Sequence, residues 1–294
     1  MTVPESVAAV GATLGEGPVW VAAEQALWFV DIKAPAVHRF DPATGAVTHW
    51  PAPAQVGWVL PSVDGGMIAG LQAGPARFSP TDGRFTPIVA VEPALPGNRL
   101  NDATTDRLGR LWFGSMDDAE TDDSGHIYRA DTAGIARVTG GISITNGPAV
   151  SPDGSLLYHH DTLGRRVFVS RIGEAGALHD TRVFAEIEDG YPDGPTVDAE
   201  GGLWVALFAG WGVRHYDRDG RLIETIDFPV ANVTKIAFGG ADLRTAYATT
   251  ATKGLSTAER AAQPLAGNLF AFDPGVAGQP VTPVASFSTS LLYR

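Results

Sequence analysis

The chain has 294 residues, 44% of them hydrophobic, enough to bury a large core. A net charge of −12 without a basic stripe argues against a nucleic-acid partner, and the absence of cysteine excludes disulfides, thiolate metal ligands and a cysteine nucleophile. Met1 to Gly15 holds neither a basic n-region nor a long apolar run, so no signal peptide and no membrane partner are expected and the predicted location is the cytoplasm.

Short strand-like runs recur along the chain: Ala26 to Asp31, Gly66 to Leu71, Arg110 to Ser115, Leu156 to Asp161, Gly202 to Leu207 and Thr245 to Thr250. Aligned on Trp28, Ile68, Trp112, Tyr158, Trp204 and Tyr247, they are spaced by 40, 44, 46, 46 and 43 residues. Between them lie Asp-Gly and Pro-Gly-rich turns such as Pro152-Asp153-Gly154 and Asp217-Arg218-Asp219-Gly220, a strong hairpin signal. A period in this range means a blade of four strands repeated radially. The prediction is an all-β, six-bladed β-propeller of four-stranded antiparallel blades, a single domain over residues 1–294. A β-sandwich or a split pair of domains fits the even period less well. Ring closure needs one further strand, from Val7 to Leu14 or from Thr282 to Leu292.

Eleven or twelve residues before each anchor, four repeats carry an oxygen-bearing side chain: Glu16, Asn101, Asn146 and Asp193. The other two repeats have Val56-Gly57 and Lys235 there. In a propeller the first strand of each blade lines the central channel, so equivalent positions converge at one mouth. Each residue alone suits an ordinary turn. Two carboxylates and two amides in register, however, need a cation, and hard oxygen donors suit Ca²⁺, Mg²⁺, Mn²⁺ or Fe²⁺. No nucleophile elbow, His-Glu-x-x-His zinc motif, phosphate loop or dinucleotide fingerprint occurs.

Four motifs carry a resemblance: Gly15-Glu16-Gly17-Pro18-Val19-Trp20; Asn101-Asp102-Ala103 with Gly109 to Met116; Thr145-Asn146-Gly147-Pro148; and Pro192-Asp193-Gly194 with Gly202-Leu203-Trp204. Over nearly the whole chain they resemble the sugar lactonases, the SMP-30/gluconolactonase/regucalcin-like family. Asn101 to Thr104, Tyr191 to Gly194 and Asn232 to Lys235 are most similar to its pentonolactonase branch, which acts on xylonolactone or arabinonolactone. The resemblance implies one divalent cation (Fe²⁺, Ca²⁺, Mg²⁺, Mn²⁺ or Zn²⁺, with Fe²⁺ or Ca²⁺ favoured) held by Glu16, Asn146 and Asp193. It also implies that Arg99 and Asn101 contact substrate, with Asp117 as a further substrate-binding candidate and Asp102 behind the site. The expected partner is a small sugar lactone, and the expected state a monomer or weak homodimer.

If first strands start at the mouth, the loops after the second strands surround it: 32–35, 72–75, 117–125, 162–165, 208–212 and 251–268. Phe208 and Trp211 are candidates for an apolar wall, His160 for a site residue and His159 for internal packing. The expected chemistry is metal-dependent hydrolysis of an aldonolactone. The metal would serve as Lewis acid and activator of water, and Asp193 as ligand and general base. Hydrolysis of another lactone or an organophosphate ester, or a non-catalytic calcium-binding regulatory role, are the alternatives.

Overall fold

The structure, a computed structural model, describes residues 3–293, so the expected limits 1–294 run past it at both ends. Six four-stranded antiparallel sheets form the molecule. Their innermost strands are Gly15–Val21, Val56–Pro61, Asn98–Thr105, Thr145–Val150, Tyr191–Val197 and Val233–Gly239 in blades one to six. Each packs against the innermost strands of both neighbouring blades, which closes the ring. The propeller expectation holds.

The second strands are Ala26–Asp31, Met67–Leu71, Leu111–Asp117, Leu156–Asp161, Leu203–Phe208 and Thr245–Thr250. Each contains one of the six anchor residues, none of them more than 5% exposed, so the repeat read from the sequence is a repeat of core side chains. An indole also needs a partner for its N–H when buried. Asp106 and Asp198, each six residues before its Trp, provide one: Trp112 and Trp204 donate through Nε1 to their Oδ2 atoms at 2.9 Å. The same carboxylates accept backbone N–H groups of their own turns. Turn and anchor are therefore set together.

Closure departs in part from expectation. Glu5–Ala8 supplies the outer strand of blade six, pairing antiparallel with Leu269–Phe272, so only the first two residues of the expected 7–14 segment take part. The C-terminal alternative, 282–292, closes nothing. That segment instead forms bridges from Val284 to Ser62 and from Leu291 to Ile135, while Gly278 bridges Asp198. Gln279 donates to Val150 O and Val197 O. Since Val150 and Val197 end their inner strands, the tail crosses the channel at the end away from Glu16.

All six inner strands carry a β-bulge at one place. The register shifts fall between Glu16 and Val19, Val56 and Trp58, Leu100 and Ala103, Asn146 and Ala149, Pro192 and Pro195, and Val233 and Lys235. A bulge adds one residue opposite a single partner and re-aims the side chains there. Each inner strand is also an edge of its sheet, paired on one side only, and there Pro18, Pro148 and Pro195 can sit at or beside the bulge without a ladder bond lost from the middle of a sheet. Gly57 is the blade-two counterpart, and an added Cβ there would lie 2.4 Å from Asn101 O.

Removing residues 1–9 strips the outer strand from Leu269–Phe272 and bares an edge. The shortened protein is expected to unfold several degrees below the full chain and to self-associate, read by thermal denaturation and light scattering.

Candidate active site

The bulges aim Glu16, Asn101, Asn146 and Asp193, from blades one, three, four and five, into one pocket of about 270 Å³. Each is at most 5% exposed. Arg99 lines the same pocket, with Leu14, Met116, Ile144, Leu163, Tyr191 and Phe208 as partly apolar walls.

The carboxyls of Glu16 and Asp193 lie within hydrogen-bonding reach of each other. Burial lifts Glu16 to about 7, helped by the charge of Asp102 and opposed by the Gly17 N–H, Lys235 and Arg99. Asp193 is pushed well above the carboxylate range by burial, then by the charges of Glu16 and Asp102. Two buried acids this close resist carrying two charges, and a divalent cation relieves that resistance. The remaining donors are amide oxygens, so the set is hard and fits such a cation. Among the described residues no group of three or more His, Cys, Asp and Glu gathers in this way; the centre is two carboxyls completed by amides.

A chain of hydrogen bonds orients those amides. Arg99 donates through Nε to Asp118 at 2.8 Å and through one terminal nitrogen to Asn101 Oδ1 at 2.6 Å. Asn101 Nδ2 donates to Thr145 O at 2.6 Å and to Asn146 Oδ1 at 3.1 Å. Asn146 Nδ2 donates to Thr162 Oγ1 at 2.9 Å, and Thr162 to Pro192 O at 2.8 Å. The network runs unbroken from the third blade to the backbone just before Asp193. Asp118, which also accepts from Lys33 and Gln55, is held near 2: burial opposes its ionisation, but those two donors and the Arg99 charge outweigh it. Arg99, only 2% exposed, is thus a buried pocket residue and not a surface ion pair.

Asp117 is not brought to the pocket. Its carboxylate accepts from the backbone of Ala119, Thr121 and Asp122 and from the Thr121 hydroxyl, tying its own loop. Asp102 lies behind the site: Oδ1 accepts from Lys235 Nζ at 2.6 Å and Oδ2 from Gly147 N at 3.0 Å. Phe208 lines the pocket, whereas Trp211 is 47% exposed outside it. His160 is fully buried beneath the site, its Nδ1 2.5 Å from Asp193 O, and His159 stacks on Phe168.

Several lining residues escaped the sequence reading. Glu120 and Lys253, from the loops after the second strands of blades three and six, form an ion pair at the mouth. Lys235 occupied the same register as the oxygen donors, and that was the one signal available for its place. Among the described residues no helix is long and apolar enough to cross a membrane.

Residues 14–252 match the SMP-30/Gluconolactonase/LRE-like region. The chain is 34% identical over 270 residues to the 6-deoxy-6-sulfogluconolactonase of Pseudomonas putida, covering 90% of this chain and 92% of that one. It is 36% identical over 265 residues to the L-arabinolactonase of Azospirillum brasilense, covering 88% and 87%. The solved structure of a calcium-binding protein, regucalcin, from Agrobacterium tumefaciens is similar with a TM-score of 0.91 at 27% identity, covering 96% and 97%. A match that runs from the first inner strand into the sixth blade shows that the chain belongs to the SMP-30/gluconolactonase/regucalcin-like sugar lactonase family.

Proposed function

We propose that the protein hydrolyses an aldonolactone to its aldonic acid with the help of one divalent cation, and that the substrate is a pentonolactone such as xylonolactone or arabinonolactone. The observation that carries the reading is the buried, neighbouring carboxyls of Glu16 and Asp193, completed by ordered amides, inside a pocket of sugar size. The names of the relatives support lactone chemistry, and they differ in the sugar concerned.

Glu16, Asn146 and Asp193 would hold the cation. When bound, it polarises the lactone carbonyl and makes water more acidic. Asp193 takes the proton of the attacking water and returns it to the ring oxygen as the C–O bond opens. Arg99, fixed by Asp118 and Asn101, donates to sugar hydroxyl oxygens and sets the ring for attack. Phe208 offers an apolar face to the C–H side of the sugar. Asp117 serves through the loop it ties, which carries Asp118 and Glu120.

A pH-stat assay on fresh pentonolactones and hexonolactones, with metal returned to stripped protein, is expected to show acid release only after metal is restored. Metal uptake with no acid release on any lactone would point instead to a calcium-binding role. Asp193→Asn, assayed at equal metal content, is expected to lower kcat at least about a hundredfold; near-wild-type turnover removes Asp193 from the base role. Because Glu16 sits near 7, Asp193 is raised as well, and both must lose their protons to act as ligands, Mn²⁺ affinity should rise with pH across the range around 7. Calorimetric titration in buffers of different ionisation enthalpy should detect a proton released on binding at pH 6.

A further inference from the structure

We propose that Lys235 and Asp102 form a strut across the central channel that positions the candidate cation ligands from below. This rests on the metal-site reading above. Blades three and six face each other across the ring, and their bulges place Asp102 and Lys235 in its interior, 1% and 6% exposed. The ammonium and carboxylate meet at 2.6 Å. Lysine and aspartate are almost never buried so fully unless they are paired, as these two are.

The strut touches the residue next to each of three site residues. Asp102 itself follows Asn101. Its Oδ2 accepts from Gly147 N, the residue after Asn146, at 3.0 Å. The aliphatic stem of Lys235 crosses Gly194, the residue after Asp193, so closely that an added Cβ would meet its Cβ, Cγ and Cδ atoms at 2.6–2.7 Å. One ion pair therefore ties the bulges of blades three, four, five and six to each other. The next layer of the channel, a cavity of about 120 Å³ that Lys235 also lines, provides no other charged side chain to brace them. The hydrogen-bond chain through Asn101, Asn146 and Thr162 joins blades three to five at the level of the ligands, and the strut adds a charged brace beneath it that also takes in blade six. Ligands from separate blades must agree in position to within a fraction of an ångström to share one ion.

The proposal can be separated from a simple charge effect, because the two have opposite signs. Removing the Lys235 charge would, by Coulomb's law alone, draw a cation in more tightly. Removing the brace loosens the ligand set. Lys235→Met keeps the stem over Gly194 but breaks the pair. Lys235→Met/Asp102→Asn leaves the local charge balance unchanged and no buried ion unpaired, which protects the fold if the single variant does not tolerate the lone carboxylate. The probe is Mn²⁺ alone, counted by electron paramagnetic resonance, with thermal unfolding as the control for folding. Both variants are expected to bind Mn²⁺ at least about tenfold more weakly than the wild type, and Gly194→Ala, which displaces the stem without changing charge, is expected to do the same. Unchanged or tighter binding by the folded double variant overturns the strut while leaving the metal site intact. Wild-type protein that takes up no Mn²⁺ overturns the metal-site reading and the strut with it.

Discussion

Two buried carboxyls within hydrogen-bonding reach cannot both be charged without a cation, and the placement of Glu16 against Asp193 governs much of what surrounds them. The neighbouring groups divide the task. Arg99 and Lys235 bring positive charge towards Glu16, Lys253 towards Asp193, and the amides of Asn101 and Asn146 supply uncharged oxygen. Asp102 works in the other direction, adding negative charge close by, and its own charge is answered by Lys235. The result is an acidic axis with cations anchored around it, tuned to accept one hard ion at one point.

The device that builds this centre is repeated six times and used four times. Every inner strand bulges beside the residue two places after its anchor, so any blade could deliver a ligand there. Blade two declines with Gly57, because the backbone of Asn101 occupies the space a side chain would need. Blade six sends a lysine, whose reach carries it over Gly194 to the far side of the ring. The symmetry of the fold thus supplies positions, and the break in that symmetry supplies chemistry. The apolar anchors, by contrast, keep the repeat intact, since each must fill an equivalent space in the core.

The mouth of the pocket follows different rules. Its loops share no repeat, and they are held by side chains bonding their own or distant backbone: Asp117 ties the 117–122 turn, and Asn232 accepts from Ala209 N and donates to Lys253 O. Glu120 and Lys253 then meet over the pocket from opposite blades. These contacts shape the entrance seen by a substrate, and they depend on residues that no period marks out.

What the sequence by itself determined was everything that local physics encodes. Alternating strands, Asp-Gly turns and evenly spaced buried aromatics specify six blades, and the positions of Glu16, Asn101, Asn146 and Asp193 relative to their anchors specify convergence at one mouth. Closure by Glu5–Ala8 was only half legible, because either terminus offered a strand of suitable pattern and the choice rests on which one reaches Leu269–Phe272. Asp117 and Trp211 looked like site residues by position along the chain, but the side-chain direction set by loop geometry turned both away. The Lys235–Asp102 and Lys253–Glu120 pairs join residues 133 positions apart. No local pattern records such partners: two charges become neighbours only when the ring closes and brings opposite blades within the length of a side chain.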